Sequence, residues 1–304
     1  MKAKNGMSLA WLAMAMAMMT VGMTTTSCEK NFDLDAGNGW ECNDGKQQLV
    51  RFNVEGDFQQ QAMTRGAATR GALAADGKDM TDLWVLDYKD GQLTQQLHQA
   101  ATDADFGTPQ MALDYGQHTL YFVCSRGKTP TLSTADHTVT WGTVSDTFYK
   151  ALTLDVTSGT GDVQTVTLQR VATKLSVVVA DAIPAGTEAV VITPSTWYYA
   201  LDYLTGLPTD SQTSDIELTL GASYAGRENL SMSVFGLSNA TEWTTDVSVR
   251  ALDGDDDILG QAVIRNAPFK VNRVTKYTGN LFSGDGSFSI ALNSEWDSEY
   301  SGSW

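Results

Sequence analysis

The sequence predicts an all-β protein built from antiparallel β-sandwiches. Three observations support this prediction. Apolar and polar residues alternate with period two in stretches such as "LVRFNVEG" and "GSFSIALNS", as they do in half-buried strands. Breaks such as "KDGQ", "SGTGD" and "LDGDDD" have the composition of turns. We find no stretch with the period of a long amphipathic helix, and short strands separated by turn signals indicate sandwiches.

Individual stretches predict strands of different kinds. In "LVRFNVEG", Val50, Phe52 and Val54 share one face of a predicted strand. The stretch "HTLYFVCS" is apolar on both faces, and "NLSMSVFGL" and "TTDVSVRAL" alternate or nearly so. The longer stretch "VQTVTLQRVATKLSVVVAD" predicts one strand that passes a bend, with Val177 and Val179 in a core.

A chain of 304 residues has room for two domains of somewhat over 100 residues each behind a signal segment. We predict a signal peptide at residues 1–27 and a flexible tether at 28–46. The first sandwich would occupy 47–168, and the second would occupy 169–304 with a terminal tail. Because no linker rich in Pro or Gly separates the two halves, we expect the domains to pack closely.

The first residues have the pattern of a secretory signal. Lys2 and Lys4 precede a short apolar core, Leu9–Val21, and small residues follow it. The core is shorter than the roughly 20 residues that a membrane span needs. The sequence Thr-Thr-Ser-Cys that ends at Cys28 looks like the lipobox of bacterial lipoproteins, which implies a covalent lipid on Cys28. The acidic residues that follow it resemble a surface-export signal of Bacteroidetes lipoproteins. The alternative is an ordinary cleaved signal with an incidental cysteine.

The charge of the chain restricts its partners. The formal net charge is -16, from 36 acidic and 20 basic residues. Binding to nucleic acid is therefore not expected, because phosphate contacts need clustered Lys and Arg. Binding to an anionic membrane surface by charge is equally disfavoured, so attachment to the outer membrane would depend on the lipid.

Two of the 3 cysteines remain if Cys28 carries lipid. Cys124 ends a predicted strand and shares a face with Leu120 and Phe122, which predicts a buried free thiol. Cys42 lies in the tether. A disulfide between Cys42 and Cys124 is the alternative, because an extracellular protein permits one.

Catalytic and metal-binding patterns are weak, and we predict no enzyme, no metal and no cofactor apart from the lipid. The 3 histidines, His98, His118 and His137, lie in separate segments, and no G-x-S-x-G, HExxH or P-loop pattern occurs. The stretch "DGDDD" at 253–257 could suggest calcium, but it is predicted to be a solvated hairpin turn. The triplet at 197–199, Trp-Tyr-Tyr, is either a sugar-binding platform or, as we expect, sandwich core.

Four stretches together resemble one family. They are "DLWVLDYKDGQL", "MALDYGQHTLYFVCS", "LQRVATKLSVVVADAIPAG" and "NAPFKVNRVTKYTGNLF". In this order, behind a lipobox, they resemble Bacteroidales-type fimbrillin-related lipoproteins over nearly all the mature chain. The resemblance implies two transthyretin-like β-sandwich domains in tandem. It also implies a minor, anchoring or accessory subunit of a fimbria, a type V pilus, with other fimbrial subunits as partners.

The stretch "MTRGAATRGAL" contains Arg65 and Arg70, each in a Thr-Arg-Gly sequence within a loop suited to proteolysis. In related pilus subunits, cleavage after Arg in such a loop removes the first strand and opens a groove for a donor strand. Anchor members of the family keep this strand and their lipid. The resemblance therefore implies either regulated cleavage, in a stalk or tip subunit, or an intact loop, in an anchor.

The C-terminal stretch predicts a strand followed by an aromatic tail. Phe288, Ile290 and Leu292 share one face, and large side chains recur in the polar sequence behind them. The candidates are Trp296, Tyr300 and Trp304. This stretch is predicted to be a donor strand, or a strand beside an acceptor groove, because aromatic anchors commonly dominate binding energy. The alternative is that it closes its own domain.

The sequence therefore predicts an outer-membrane, surface-exposed lipoprotein that joins a fimbria by strand addition. The alternative is a surface lipoprotein adhesin that binds a glycan or a host ligand without a pilus. An exposed aromatic patch would favour the adhesin, and an open apolar groove or a displaceable terminal strand would favour the fimbrial subunit.

Overall fold

A computed structural model describes residues 47–56, 80–127, 129–161, 163–213, 215–283 and 288–293. All of them belong to one compact unit, Trp40–Trp304, whereas the second unit, Met1–Gly39, lies outside the described residues. Several predictions also fall outside them. These are the signal peptide, Cys28, the tether with Cys42, both Thr-Arg-Gly sites and the aromatic tail.

The described residues form strands and one short 3-10 helix, as the alternation and turn signals predicted. The strands up to Arg170 are β1 (Gln47–Gly56), β2 (Asp82–Lys89), β3 (Gln92–Ala100), β4 (Gln110–Asp114), β5 (Gly116–Ser125), β6 (Thr131–Ser133), β7 (Thr138–Thr140), β8 (Thr147–Val156) and β9 (Val163–Arg170). The remaining strands are β10 (Ala172–Val179), β11 (Ala189–Pro194), β12 (Trp197–Tyr198), β13 (Ala200–Asp202), β14 (Leu207–Pro208), β15 (Ser211–Gln212), β16 (Ile216–Thr219), β17 (Leu230–Leu237), β18 (Trp243–Leu252), β19 (Ile258–Phe269), β20 (Val274–Gly279) and β21 (Phe288–Asn293), with the 3-10 helix at Ala222–Tyr224.

The first sheet has the strand order β3-β2-β5-β8-β9-β1-β4. Its strand β9 pairs with β8 only near its end, at Gln169 and Arg170, and with β1 along Val163–Leu168. The β4-β1-β9 part thereby faces the β3-β2-β5-β8 part across a core. Phe52 of β1 and Phe122 of β5 meet edge to face there, with ring centroids 5.4 Å apart.

The second half of the chain has two four-stranded sheets, β17-β10-β20-β21 and β16-β11-β18-β19. A second core contains Val177 and Val179, both 0% exposed, together with Val190, Ile192 and Phe269. The predicted placement of Val177 and Val179 in a core is confirmed. The prediction of one strand that passes a bend is wrong, because the stretch forms two strands in different sheets: β9 ends at Arg170 and β10 begins at Ala172.

Two strand pairings differ from the antiparallel prediction. Strands β1 and β9 are parallel, with Arg51 opposite Val163, and β10 and β20 are parallel, with Lys174 opposite Val274. The prediction of purely antiparallel sheets is therefore wrong at these two places. Alternation within one strand sets which side chains are buried, but it carries no information on the direction of a distant partner.

A small sheet joins strands from both halves of the chain. Its order is β14-β13-β7-β6, with Ala200 of β13 opposite Thr140 of β7. A third apolar cluster lies against it and includes Trp141, Leu201 and Tyr203. The predicted division of the chain at residue 169 stays a prediction, and strands from either side of that position share this sheet.

Candidate assembly site

Strand β1 is the first strand, which the strand-addition hypothesis expects to be replaced by a donor strand. Alternation places Val50, Phe52 and Val54 on its inner face, and they are 0–1% exposed. Arg51, on the opposite face, is exposed. The sequence thus folds into a strand that contributes three buried side chains to the first core, which is the geometry that a period-two pattern predicts.

The main chain of β1 is paired on both sides. It runs parallel to β9 and antiparallel to β4. In the segment that precedes β4, Pro109 O accepts a hydrogen bond from the backbone N–H of Phe52 at 2.9 Å, and Gly107 O accepts one from that of Val54 at 2.9 Å. A strand in this position is therefore held by its backbone as well as by its side chains.

The core residues under β1 come from every neighbouring strand. Apart from Phe122, they include Met111 and Leu113 of β4 and Val166 and Leu168 of β9, all 0–4% exposed. Without β1, the space between β9 and β4 would be an apolar groove, and the backbone groups of both strands that face it would be unpaired. Such a groove fits an incoming strand with alternating apolar side chains.

The C-terminal stretch forms β21, which pairs antiparallel with β20 at the end of its sheet. Phe288 is half-buried against the second core. In the register of the two strands, Ile290 lies opposite Tyr277, and Leu292 lies opposite Thr275. This placement corresponds to the alternative in which the stretch closes its own domain. Trp296, Tyr300 and Trp304 lie outside the described residues, so the role of the tail in assembly stays a prediction.

Asp181 holds the segment that leads towards β21. Its carboxylate accepts hydrogen bonds from the backbone N–H groups of Leu281 at 3.0 Å, Phe282 at 2.8 Å and Ser283 at 2.7 Å, and from the Ser283 hydroxyl at 3.1 Å. Burial raises the pKa of this carboxyl group, but the backbone donors outweigh burial and hold its pKa below the ordinary value. The ionised form of Asp181 is therefore stabilised in the folded protein.

This geometry predicts a pH dependence for the Asp181→Asn variant. Because the folded-state pKa lies below the unfolded one, the stabilisation is complete above the unfolded pKa and is lost as pH falls through the folded pKa. We expect Asp181→Asn to be less stable than the wild type at pH 7, and the difference to shrink below about pH 4. Urea unfolding of both proteins from pH 7 to pH 3 measures this. A difference that stays constant with pH would contradict it.

Arg170, the last residue of β9, is a buried basic residue in the stretch "LQRVATKLSVVVADAIPAG". Its Nε donates to Asp146 Oδ1 at 2.7 Å and its Nη2 to Asp146 Oδ2 at 3.1 Å, while Nη1 donates to Asn272 Oδ1 at 2.7 Å. Its guanidinium also lies over the Phe148 ring, 4.8 Å from the centroid. The sequence analysis did not single out Arg170, and Asp146 and Asn272 lie too far away in sequence to be linked to it by spacing.

The three histidines have separate partners, in agreement with their separate positions in the sequence. His118 is buried, with Nδ1 2.8 Å from Asp87 Oδ1 and Nε2 donating to Asp114 O at 2.8 Å. His98 Nε2 lies 2.9 Å from Asp82 Oδ1. His137 lies beside the rings of Tyr88 and Tyr203. The buried pair of His118 and Asp87 is 1% and 0% exposed and serves to join β5 to β2.

The aromatic triplet is divided between different surroundings. Trp197 is 3% exposed in the second core, and its Nε1 donates to Phe235 O at 2.9 Å. Tyr198 is half-buried and meets Trp243 edge to face at 5.2 Å. The half-buried Tyr199 borders, with Trp197, a cleft of about 340 Å³. The expectation of a core position is confirmed for Trp197.

The remaining candidates have structural surroundings. The 253–257 stretch is a hairpin turn between β18 and β19, where Asp253 Oδ1 accepts from the N–H groups of Asp255 and Asp257 at 3.0 and 2.9 Å. In the described part of the chain, no three His, Cys, Asp or Glu side chains are grouped as metal ligands would be. Cys124 is a buried free thiol, and burial raises its pKa, which keeps it a thiol rather than a thiolate.

Among the described residues there is no helix of the length and apolar character needed to cross a membrane. Within this part of the chain, the structure is defined by its β-sheets and by the strand β1 that lies between β9 and β4.

The chain is similar to several solved structures. One is a protein of Bacteroides thetaiotaomicron described among "putative polysaccharide binding proteins (DUF1812)". It has 8% sequence identity and a TM-score of 0.51, and the match covers 80% of this chain and 95% of the other. A "putative adhesin" of Bacteroides ovatus has 12% identity and a TM-score of 0.48, over 84% and 97% of the two chains. A fimbrial assembly protein of Parabacteroides distasonis has 10% identity and a TM-score of 0.46, over 81% and 99%.

The family follows from the sequence match. The chain belongs to the family of unknown function DUF6562, whose model matches residues 128–303. This range begins just before β6 and extends beyond β21, so it covers the strands from β6 to β21. No match is found among curated proteins.

Proposed function

We propose that this protein is a cell-surface fimbrial subunit, lipid-anchored through Cys28 in the outer membrane, that has no catalytic activity and assembles by strand addition. The observation that carries the proposal is the position of β1. It lies between β9 and β4, it buries three alternating apolar side chains, and it is joined to β2 through residues 57–79, where both Thr-Arg-Gly sites lie.

Strand β1 is suited to exchange with a donor strand, because both its backbone pairing and its buried apolar face can be reproduced by another strand. Its backbone bonds to two neighbours would be regained by any extended segment, and its specificity comes from Val50, Phe52 and Val54 in successive pockets. A strand in this groove also covers the edges of β9 and β4 that face it, which would otherwise be open to aggregation.

Whether β1 is retained or removed decides which position the protein takes in a fimbria. If the chain stays intact, the residues from Cys28 onwards remain covalently attached, and the protein acts as an anchor. If a protease cleaves after Arg65 or Arg70, β1 and the lipid can leave together and the groove can accept a strand from another subunit. The second fate makes the protein a stalk or tip subunit.

Strand exchange can be tested with the purified chain lacking its signal peptide. A protease that cleaves after Arg is expected to cut at Arg65 and Arg70 while the fragment with β1 stays bound, because β1 is buried and paired on both sides. A synthetic peptide of residues 287–304 is then expected to displace that fragment. Native mass spectrometry follows both species.

The matched control is the same peptide with the substitutions Ile290→Asp and Leu292→Asp, which remove two of its three alternating apolar side chains. Displacement by both peptides, or by neither, would count against the C-terminal stretch as a donor. If the fragment with β1 dissociates at once after cleavage, β1 is not retained as the proposal requires. Purification from outer membranes, with identification of the co-purifying proteins, tests for fimbrial partners. Their absence would favour an adhesin without a pilus.

The anchor is tested separately through Cys28. We expect the Cys28→Ala variant to be released from the membrane fraction, because it can carry no acyl chain on residue 28. Each buried methylene of such a chain contributes about 0.8 kcal/mol to the free energy of membrane binding. Fractionation and labelling with a fatty acid measure this. Unchanged membrane retention of the variant, together with an unlabelled wild type, would contradict lipidation.

A further inference from the structure

A cleft of about 300 Å³ lies where the outer face of the first sheet meets the turn between β6 and β7. Strand β5 contributes Gln117, Thr119 and Tyr121, which share one face because they are two residues apart. Tyr88 of β2, Asp90 of the β2–β3 turn and His137 complete the part of the lining that carries polar side chains. The sequence analysis did not connect these residues, which come from three separate segments.

Two tyrosine rings and the imidazole ring of His137 form the walls. The rings of Tyr88 and Tyr121 are 5.5 Å apart at 81°, and those of Tyr88 and His137 are 6.3 Å apart at 65°. Tyr121 and His137 are half-buried, so part of each ring faces solvent. Rings at steep angles to each other line a concave surface, in which the apolar C–H face of a ligand ring can rest on an aromatic face.

Polar groups surround these walls. Six of the eight lining residues carry a polar side-chain atom. The Asp90 carboxylate accepts hydrogen bonds, the Gln117 amide donates and accepts, and the hydroxyls of Thr119 and Tyr121 do both. This mixture matches a ligand that presents several hydroxyl groups around an apolar ring face.

The cleft is already formed by contacts within the protein. The Tyr88 and Tyr203 hydroxyls are 2.8 Å apart, and the backbone N–H of Tyr203 donates to His137 O at 3.0 Å. The backbone φ angles of Asp90, +52°, and His137, +56°, are those of tight turns. A site held in shape before binding loses little conformational freedom when a ligand enters.

The charges nearby disfavour an anionic ligand. The lining contains no Lys or Arg, so an anion would lack a counter-charge. Lys89, adjacent to Tyr88, donates its Nζ to Tyr115 O at 2.7 Å instead. The predominance of polar groups disfavours a lipid chain, and the volume is at the lower end of the roughly 300–1,000 Å³ of small-molecule pockets.

We propose that this cleft binds a neutral sugar residue of a glycan, with the ring on Tyr121 and the hydroxyls on Gln117 and Asp90. This binding is separate from strand addition, because none of the cleft residues belongs to β1 or β21. It therefore holds or fails independently of the fimbrial proposal.

The test uses the intact mature chain and methyl glycosides of glucose, galactose, mannose and N-acetylglucosamine, with saturation-transfer NMR to detect binding and titration to measure Kd. At least one glycoside is expected to bind in the millimolar range. Tyr121→Ala and Gln117→Ala are each expected to raise its Kd at least tenfold, and Tyr121→Phe, which keeps the ring, to raise it less than Tyr121→Ala does.

The matched control is Gln110→Ala, an exposed glutamine on β4 outside the cleft, which should leave Kd unchanged. The melting temperature of each variant shows whether it is folded. If Tyr121→Ala does not fold, the Kd values of Gln117→Ala and Tyr121→Phe decide whether the cleft binds the sugar. A sulfated heparin oligosaccharide is the anionic comparison. Binding of that probe alone, binding of none, or unchanged affinity in the two alanine variants would overturn the proposal.

Discussion

Replacing Asp146 with alanine is expected to lower the free energy of unfolding by about 3–5 kcal/mol, because it removes the counter-ion of a buried charge. The side chains of Arg170 and Asp146 are 4% and 1% exposed and are joined by a bond of 2.7 Å from Nε to Oδ1. In Asp146→Ala, the Arg170 guanidinium would remain out of water without its carboxylate. Urea unfolding at pH 7 measures the loss.

The control for this prediction is an exposed ion pair of the same kind. Arg265 and Asp246 are also 2.7 Å apart, but their side chains are 72% and 33% exposed. Arg265→Ala should therefore cost much less stability than Asp146→Ala does. A double variant, Asp146→Leu with Arg170→Met, should recover part of the stability lost in Asp146→Ala, since paired apolar replacements avoid the unpaired charge. Equal losses in Asp146→Ala and Arg265→Ala would contradict the assigned role.

Replacing Phe52 with alanine is expected to cost about 3–5 kcal/mol, because a buried aromatic ring is lost and a cavity remains in the first core. Phe52 is 1% exposed and meets the Phe122 ring at 5.4 Å. The same substitution should also speed the displacement of the cleaved fragment with β1 by the peptide of residues 287–304. The first effect is measured by urea unfolding and the second by native mass spectrometry.

Arg51→Ala is the matched control, because Arg51 is the adjacent residue of the same strand and is exposed. Its effect on stability should be within about 0.5 kcal/mol, and the rate of displacement should not change. If Phe52→Ala destabilises the protein and displacement is as slow as in the wild type, then the apolar face of β1 stabilises the core without controlling exchange.

In the first sheet, the sequence predicted which side chains are buried but not which strands pair. The alternation in "LVRFNVEG" predicted correctly which residues of β1 are buried. The two-sided apolar pattern in "HTLYFVCS" predicted correctly that β5 is buried on both faces, with Phe122 in one cluster and Val123 in another. Neither pattern indicated that β1 pairs with β9, because over one hundred residues separate the two strands and any strand with one apolar face could fill that position.

The candidate sites show the same division. The sequence pointed to β1, since it belongs to a recognisable local pattern. It did not point to Asp146, to the anchoring role of Asp181 or to the cleft beside Tyr121. A lone Asp or Tyr has no pattern around it, and its significance comes from groups that folding brings near it.

Local sequence patterns predicted the all-β class, the buried residues of β1, β5 and β10, and the turn at 253–257. These features depend on residues within a few positions of one another, where side-chain direction and turn chemistry act locally. The folded structure was needed to identify the two parallel pairings, the sheet shared by β7 and β13, and the partners of Arg170, Asp181 and Tyr88. Those depend on which distant segments pack together, and many partners satisfy the same local pattern, so the packing of the whole chain selects among them.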